Sequence, residues 1–238
     1  NIFKIKAEKL LNQYNVGNLR YVIEQSQILL KKFPDNAFLY NLIGSSLQRM
    51  GNLEMALDKF LHVVQIDKNN TAAYNNLGNV FKTLKKFEKA KENYNKALNI
   101  NPKFVNALVN LGNLYFEIND YKEAIVNLEK AIEINPDLAQ AHYNLGIVFQ
   151  SLGEFEKSKN HMEKVLSIDP KNTNADKILS RYTNYTKENS HIQNMEKKLL
   201  ELNLSDHLKS NLNFALGKAY EDIYDYEKSF LNIKIGND

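Results

Sequence analysis

Residues Ala73-Tyr74-Asn75-Asn76-Leu77-Gly78-Asn79-Val80-Phe81, with Ala90, Tyr94, Ala97 and Pro102 after them, decide the fold. Tyr74, Leu77, Gly78 and Phe81 recur at spacings of three and four, so they share one face of a helix. Ala90, Tyr94 and Ala97 make the matching face of a second helix. Gly78 and Ala90 are small and let the two axes approach, while Tyr74, Phe81 and Tyr94 fill the flanking space. Pro102 stops the second helix, because proline drives the residue before it out of the α region. Asn101, in that position, also tolerates a left-handed cap. The stretch therefore reads as a pair of antiparallel helices.

The pattern returns every 34 residues, at Pro34, Lys68, Pro102, Pro136 and Pro170. Gly44, Gly78, Gly112 and Gly146 keep step with it, as do Ala56, Ala90, Ala124 and Ser158. The turn between the helices of a pair falls at Gly17, Gly51, Lys85, Asn119 and Gly153. A fixed period of this length marks an array in which each unit buries its apolar face against its neighbour. Units are assigned to 3–36, 37–70, 71–104, 105–138 and 139–172, with helices starting on caps such as Asn36 and Thr71. In the first unit Lys6, Lys9 and Leu10 replace a large apolar residue, an apolar residue and glycine. It reads as a degenerate cap with a polar outer face.

After residue 172 the phase breaks. Thr173–Tyr185 and His191–Leu202 read as helices around the loop Lys187-Glu188-Asn189-Ser190, giving an irregular pair over 173–209. Phe214-Ala215-Leu216-Gly217-Lys218-Ala219-Tyr220 restores the motif, with Tyr224-Asp225-Tyr226 at the turn and Ser229 at the small position. Residues 210–238 thus read as a truncated sixth unit. Its apolar Phe230, Leu231, Ile233 and Ile235 are expected to lie under further chain or to support weak self-association.

Over residues 37–172 these motifs closely resemble the tetratricopeptide repeat family. The resemblance implies an all-α, right-handed α-α superhelix (a solenoid) of antiparallel helix pairs, with a concave groove that binds protein. Little else competes with that reading. The formal charge is only +3, and basic residues run no longer than pairs such as Lys85-Lys86, which excludes the basic stripe of a nucleic-acid binder. No apolar run reaches the length of a membrane span, about 18 residues. Cysteine is absent, which excludes disulfides and thiol chemistry and fits a reducing, cytoplasmic setting. The five histidines are never three or four apart, so no metal site is expected, and no cofactor-binding or catalytic motif is present. His142 stands where Tyr40, Tyr74 and Leu108 stand in other units, and it reads as a packed core residue.

The face of each first helix turned away from the core is expected to line the groove. Its asparagines are Asn41, Asn75, Asn76, Asn79, Asn106, Asn110, Asn113 and Asn144, with Phe116 and Tyr143 among them. An amide offers a donor and an acceptor together, matching the two groups of a peptide unit. Asn76, Asn110 and Asn144 form a row at one-repeat spacing. It resembles the asparagine ladder of the repeats in O-linked N-acetylglucosamine transferase, and implies gripping of an extended peptide by its backbone. Chaperone-binding members hold a terminal carboxylate with added Lys and Arg. Here those places hold Asn75, Gln140 and Asn144 in one frame, or Asn41, Asn106 and Asn110 in the other, which argues against a carboxylate clamp.

Ser180-Arg181-Tyr182-Thr183, Asp206 to Asn211, Phe214 to Asp222 and Gly236-Asn237 look like the join in bacterial proteins where such repeats precede a sulfotransferase domain. That resemblance implies a non-catalytic, substrate-recruiting role for this chain. A self-assembling array is the third expectation.

Overall fold

The computed structural model describes residues 2–237. Its elements are α1 (Ile2–Asn15), α2 (Leu19–Leu30), α3 (Ala37–Arg49), α4 (Leu53–Ile66), α5 (Thr71–Thr83), α6 (Phe87–Ile100), α7 (Val105–Glu117), α8 (Tyr121–Ile134), α9 (Ala139–Ser151), α10 (Phe155–Ile168), α11 (Thr173–Tyr182), α12 (Ser190–Glu201), α13 (Asp206–Asp222) and α14 (Tyr226–Asn237). Among the described residues there is no strand, and no helix is long and apolar enough to cross a membrane. The chain forms two compact units, one up to Ile118 and one from Asn119. Their boundary falls within the repeat assigned to 105–138.

Within the first unit α2 packs on α3, and each helix from α3 to α6 packs on the next. Among the first helices of its repeats, α5 also touches α3 and α7. Within the second unit α8, α9, α10 and α11 follow in the same way, and α13 takes up contacts with α11, α12 and α14. This is the nearest-neighbour burial of a helix-pair array. Helix α12 packs on α13, the helix after it, and reaches α11 through polar side chains.

Glycine sets the closest approaches. A Cβ on Gly44 would lie 2.6 Å from the Phe60 ring, and one on Gly78 would strike the Tyr94 ring. Both rings are fully buried, so neither can swing aside without disturbing the core. Gly44→Ala is expected to cost about 1–3 kcal/mol in denaturant unfolding. Adding Phe60→Leu relieves the clash, so the double variant should lose less than the two single losses summed.

The helix ends correct several expectations. The left-handed residues lie at the turn inside each pair, not at the repeat end: Lys85, Asn119 and Tyr224 have φ of 58°, 62° and 63°. Asn101 and Asn135, each before a proline, are extended with φ −135°. The cap of α5 is Asn70, whose Oδ1 accepts from Ala73 N at 3.0 Å, and Thr71 is its first helical residue. Asn36 caps α3 as expected. Helix α11 stops at Tyr182, short of Tyr185, because Asp222 Oδ2 accepts the Tyr185 N–H at 3.1 Å and pulls the chain away. Helix α12 begins at Ser190 on the Asn189 cap, and α13 starts at Asp206, ahead of residue 210.

The outer face of α1 is not simply polar. Leu10 is buried, but Ile5 and Leu11 are exposed. On α14, Phe230, Leu231, Ile233 and Ile235 are exposed as well. Residue 238 of the last assigned repeat lies outside the described residues.

Candidate functional site

In the first unit the predicted amides lie on α3, α5 and α7, where hydrogen bonds already engage several of them. Asn110 Nδ2 donates to Asn75 Oδ1 at 2.9 Å, joining α7 to α5, and Asn75 is buried. Asn41 Nδ2 donates to Asn70 Oδ1 at 3.3 Å, tying α3 to the cap of α5. The Asn41 Oδ1 is buried without a partner. Asn79 Oδ1 accepts from the Tyr94 hydroxyl at 2.7 Å, so that amide faces the repeat core rather than a groove. Burial, with the Glu117 carboxylate second, raises the Tyr94 hydroxyl far above its ordinary pKa. Asn76 is half-buried and Asn106 exposed, and neither takes part in these bonds. Asn113 and Phe116 are half-buried on α7. The expectation that all eight amides line a groove is thus too broad.

Two candidates belong to the second unit. Tyr143 is half-buried against the cluster of Met162, Val165 and Ile178, and burial raises its hydroxyl pKa. Asn144 Oδ1 accepts from Gln140 Nε2 at 2.8 Å.

The second unit also holds polar groups that spacing did not reveal. Asp176 is wholly buried, and both its oxygens accept from Lys198 Nζ at 2.7 Å. His191 Nε2 lies 3.0 Å from Asp176 Oδ1, and its Nδ1 lies 2.7 Å from the Tyr185 hydroxyl. The carboxylate accepts only, so Nε2 carries the ring proton and Nδ1 accepts from Tyr185. Tyr185 is itself buried, which raises its hydroxyl above the ordinary range. Among the described residues no group of three or more acidic or histidine side chains is placed to hold a metal ion.

His142 is buried, as its place in the repeat implies. Its Nε2 lies 3.0 Å from the Pro136 carbonyl, which fixes the proton there, and its Nδ1 faces His161 Nδ1 at 3.0 Å. Burial first, and the neighbouring His142 second, lower the His161 pKa from 6.5 to about 4. The unfolded chain therefore takes up this proton more readily than the folded one. The stabilising difference is present above the unfolded value of 6.5 and is lost as pH falls through about 4. Thermal unfolding of His161→Gln across that window should show a flatter acid limb than the parent chain.

Three of these helix pairs, α3–α4, α5–α6 and α9–α10, coincide with matches to known repeats. Models described as tetratricopeptide repeat match residues 39–70, 71–104, 93–126 and 139–172, and one described as TPR repeat matches 112–153. Together they run unbroken from residue 39 to 172, more than half of the chain. No curated protein matches. Among solved structures, the MamA protein is 26% identical, with 71% of this chain and 97% of that one covered and a TM-score of 0.58. PilF of Pseudomonas aeruginosa is 22% identical over 82% of this chain and 88% of its own, with a TM-score of 0.67. YrrB, described as a TPR protein with an unusual peptide-binding site, is 20% identical over 89% of this chain and 99% of its own, with a TM-score of 0.56. The last two likenesses show a shared fold alone. With its 34-residue period, its glycine-spaced helix pairs and matches that cover residues 39 to 172, the chain belongs to the tetratricopeptide repeat family.

Proposed function

We propose that this chain is a protein-interaction scaffold whose first unit holds an extended polypeptide along α3, α5 and α7 through asparagine amides. The supporting observation is the Asn110–Asn75 bond between neighbouring repeats. It uses one N–H of Asn110 and leaves that residue's Oδ1 as an acceptor, oriented before any peptide arrives. Asn76 and Asn106 add unspent amides on the same two helices. The peptide-binding site named for YrrB agrees with this reading at the level of fold.

Peptides selected by the full chain from a random library supply the probe, with affinity read by fluorescence anisotropy. Asn76→Ala with Asn106→Ala should weaken binding about tenfold, since each lost hydrogen bond is worth about 0.5–1.5 kcal/mol, and should leave the melting temperature unchanged. Asn110→Ala should lower both quantities, because it strips the buried Asn75 of its partner. Unaltered affinity in the first variant would sink the amide reading while leaving the fold untouched.

A second reading, recruitment of substrate to an attached sulfotransferase, draws its support from the sequences around Ser180–Thr183 and Phe214–Asp222. Self-assembly draws its support from the exposed apolar residues of α14. Mass measured against concentration separates that from the scaffold reading.

A further inference from the structure

The second unit departs from the repeat at Asp176. This residue takes the place that Tyr40, Tyr74, Leu108 and His142 occupy in the regular repeats, where large side chains fill the space toward the second helix. Aspartate is too short for that. Side chains of α12 span the gap: Lys198 and His191 reach from it to the Asp176 carboxylate on α11. A cleft of about 340 Å³ remains, at the lower end of small-ligand pockets, which run from about 300 to 1,000 Å³.

Leu166, Pro170 and Leu202 give the cleft apolar walls. Lys198 directs its ammonium at both Asp176 oxygens, which leaves a third N–H without a carboxylate partner. Exposed Lys171, Asn194 and Lys197 line the cleft as well, together with Glu201, whose carboxylate lies 3.8 Å from Lys197 Nζ and offsets part of that positive charge. A buried ion pair is weak ground for stability, since apolar residues of equal volume serve as well or better. Here it ties α12 to α11 through polar side chains beside the cleft.

We propose that this cleft binds a compact apolar group carrying a carboxylate. The apolar part lies against Leu166, Pro170 and Leu202, and the carboxylate accepts charge-assisted hydrogen bonds from Lys171, Lys197 and Asn194. The site lies wholly in the second unit and does not depend on the amide face of the first. Its ligand chemistry comes either as a free acid or as an acidic residue beside an apolar one in a peptide.

Phenylacetate titrated into the full chain should raise the melting temperature and shift backbone amide resonances in 166–171 and 194–202. Phenylacetamide, of the same shape without the charge, should bind about tenfold more weakly, because charge-assisted bonds are roughly twice as strong as neutral ones. Lys171→Glu with Lys197→Glu should erase the advantage of the acid over the amide. Both side chains are exposed and lie outside the Asp176–Lys198–His191 cluster, so these changes leave the fold in place. A capped peptide presenting phenylalanine beside aspartate separates the two sources. Tighter binding than phenylacetate assigns the cleft to peptides, and weaker binding assigns it to free acids. Equal affinity for acid and amide, or no shift in these segments with either, overturns the proposal.

Discussion

Tyr94→Ala is expected to lower the stability of the first unit by about 3–5 kcal/mol, the cost of emptying an aromatic site from a closed core. Tyr94 is fully buried and packs with Ala90, Leu111 and Leu114, bridging its own repeat to the next. Its ring also occupies the space that a Cβ on Gly78 would need. Tyr94→Phe keeps the ring and loses only the hydroxyl bond to Asn79, so it should cost about 0.5–1.5 kcal/mol. Circular dichroism in urea measures both. A Tyr94→Ala loss no larger than that of Tyr94→Phe would mean that the helix pair does not depend on this ring.

The second large effect is expected at Lys198. Lys198→Met leaves the buried Asp176 carboxyl without its ammonium partner, which should cost about 3–5 kcal/mol. Adding Asp176→Leu removes the stranded carboxyl as well, and the double variant should recover most of the loss. A single loss that the second change does not repair would mean that Lys198 contributes by packing its stem rather than by its charge.

The helix pairs were legible in the sequence because each element repeats the same physics. Gly44, Gly78 and Gly217 mark close approaches, and Phe60, Tyr94 and Ile233 are the residues that use the space. Local caps were legible less sharply: Asn70 and Thr71 are both good cap types, and only the bond to Ala73 N tells them apart. The amide face was legible as a composition but not as a site. Asn75 and Asn76 are adjacent and chemically identical, yet one is buried against Asn110 and the other half-buried without that bond. Spacing carries the helical face of a residue, whereas its hydrogen-bond partner depends on a side chain a full repeat away. Asp176 had a signal, a carboxylate at a position of large residues, but its partners Lys198 and His191 come from a segment where the period had lapsed. The early end of α11 depends on Asp222, 37 residues further on, and no local reading reaches that far.

Within each unit, helices meet their neighbours along the chain and few others. No distant ends have to find each other before favourable contacts form, so the entropy of loop closure is small and folding is expected to be fast. Order can then begin at any pair and spread outward. The same wiring acts in reverse under a pulling force. Such an array yields like a zipper, one helix pair after another, and a partner that pulls on one end stretches the pairs there before the far pairs feel the load.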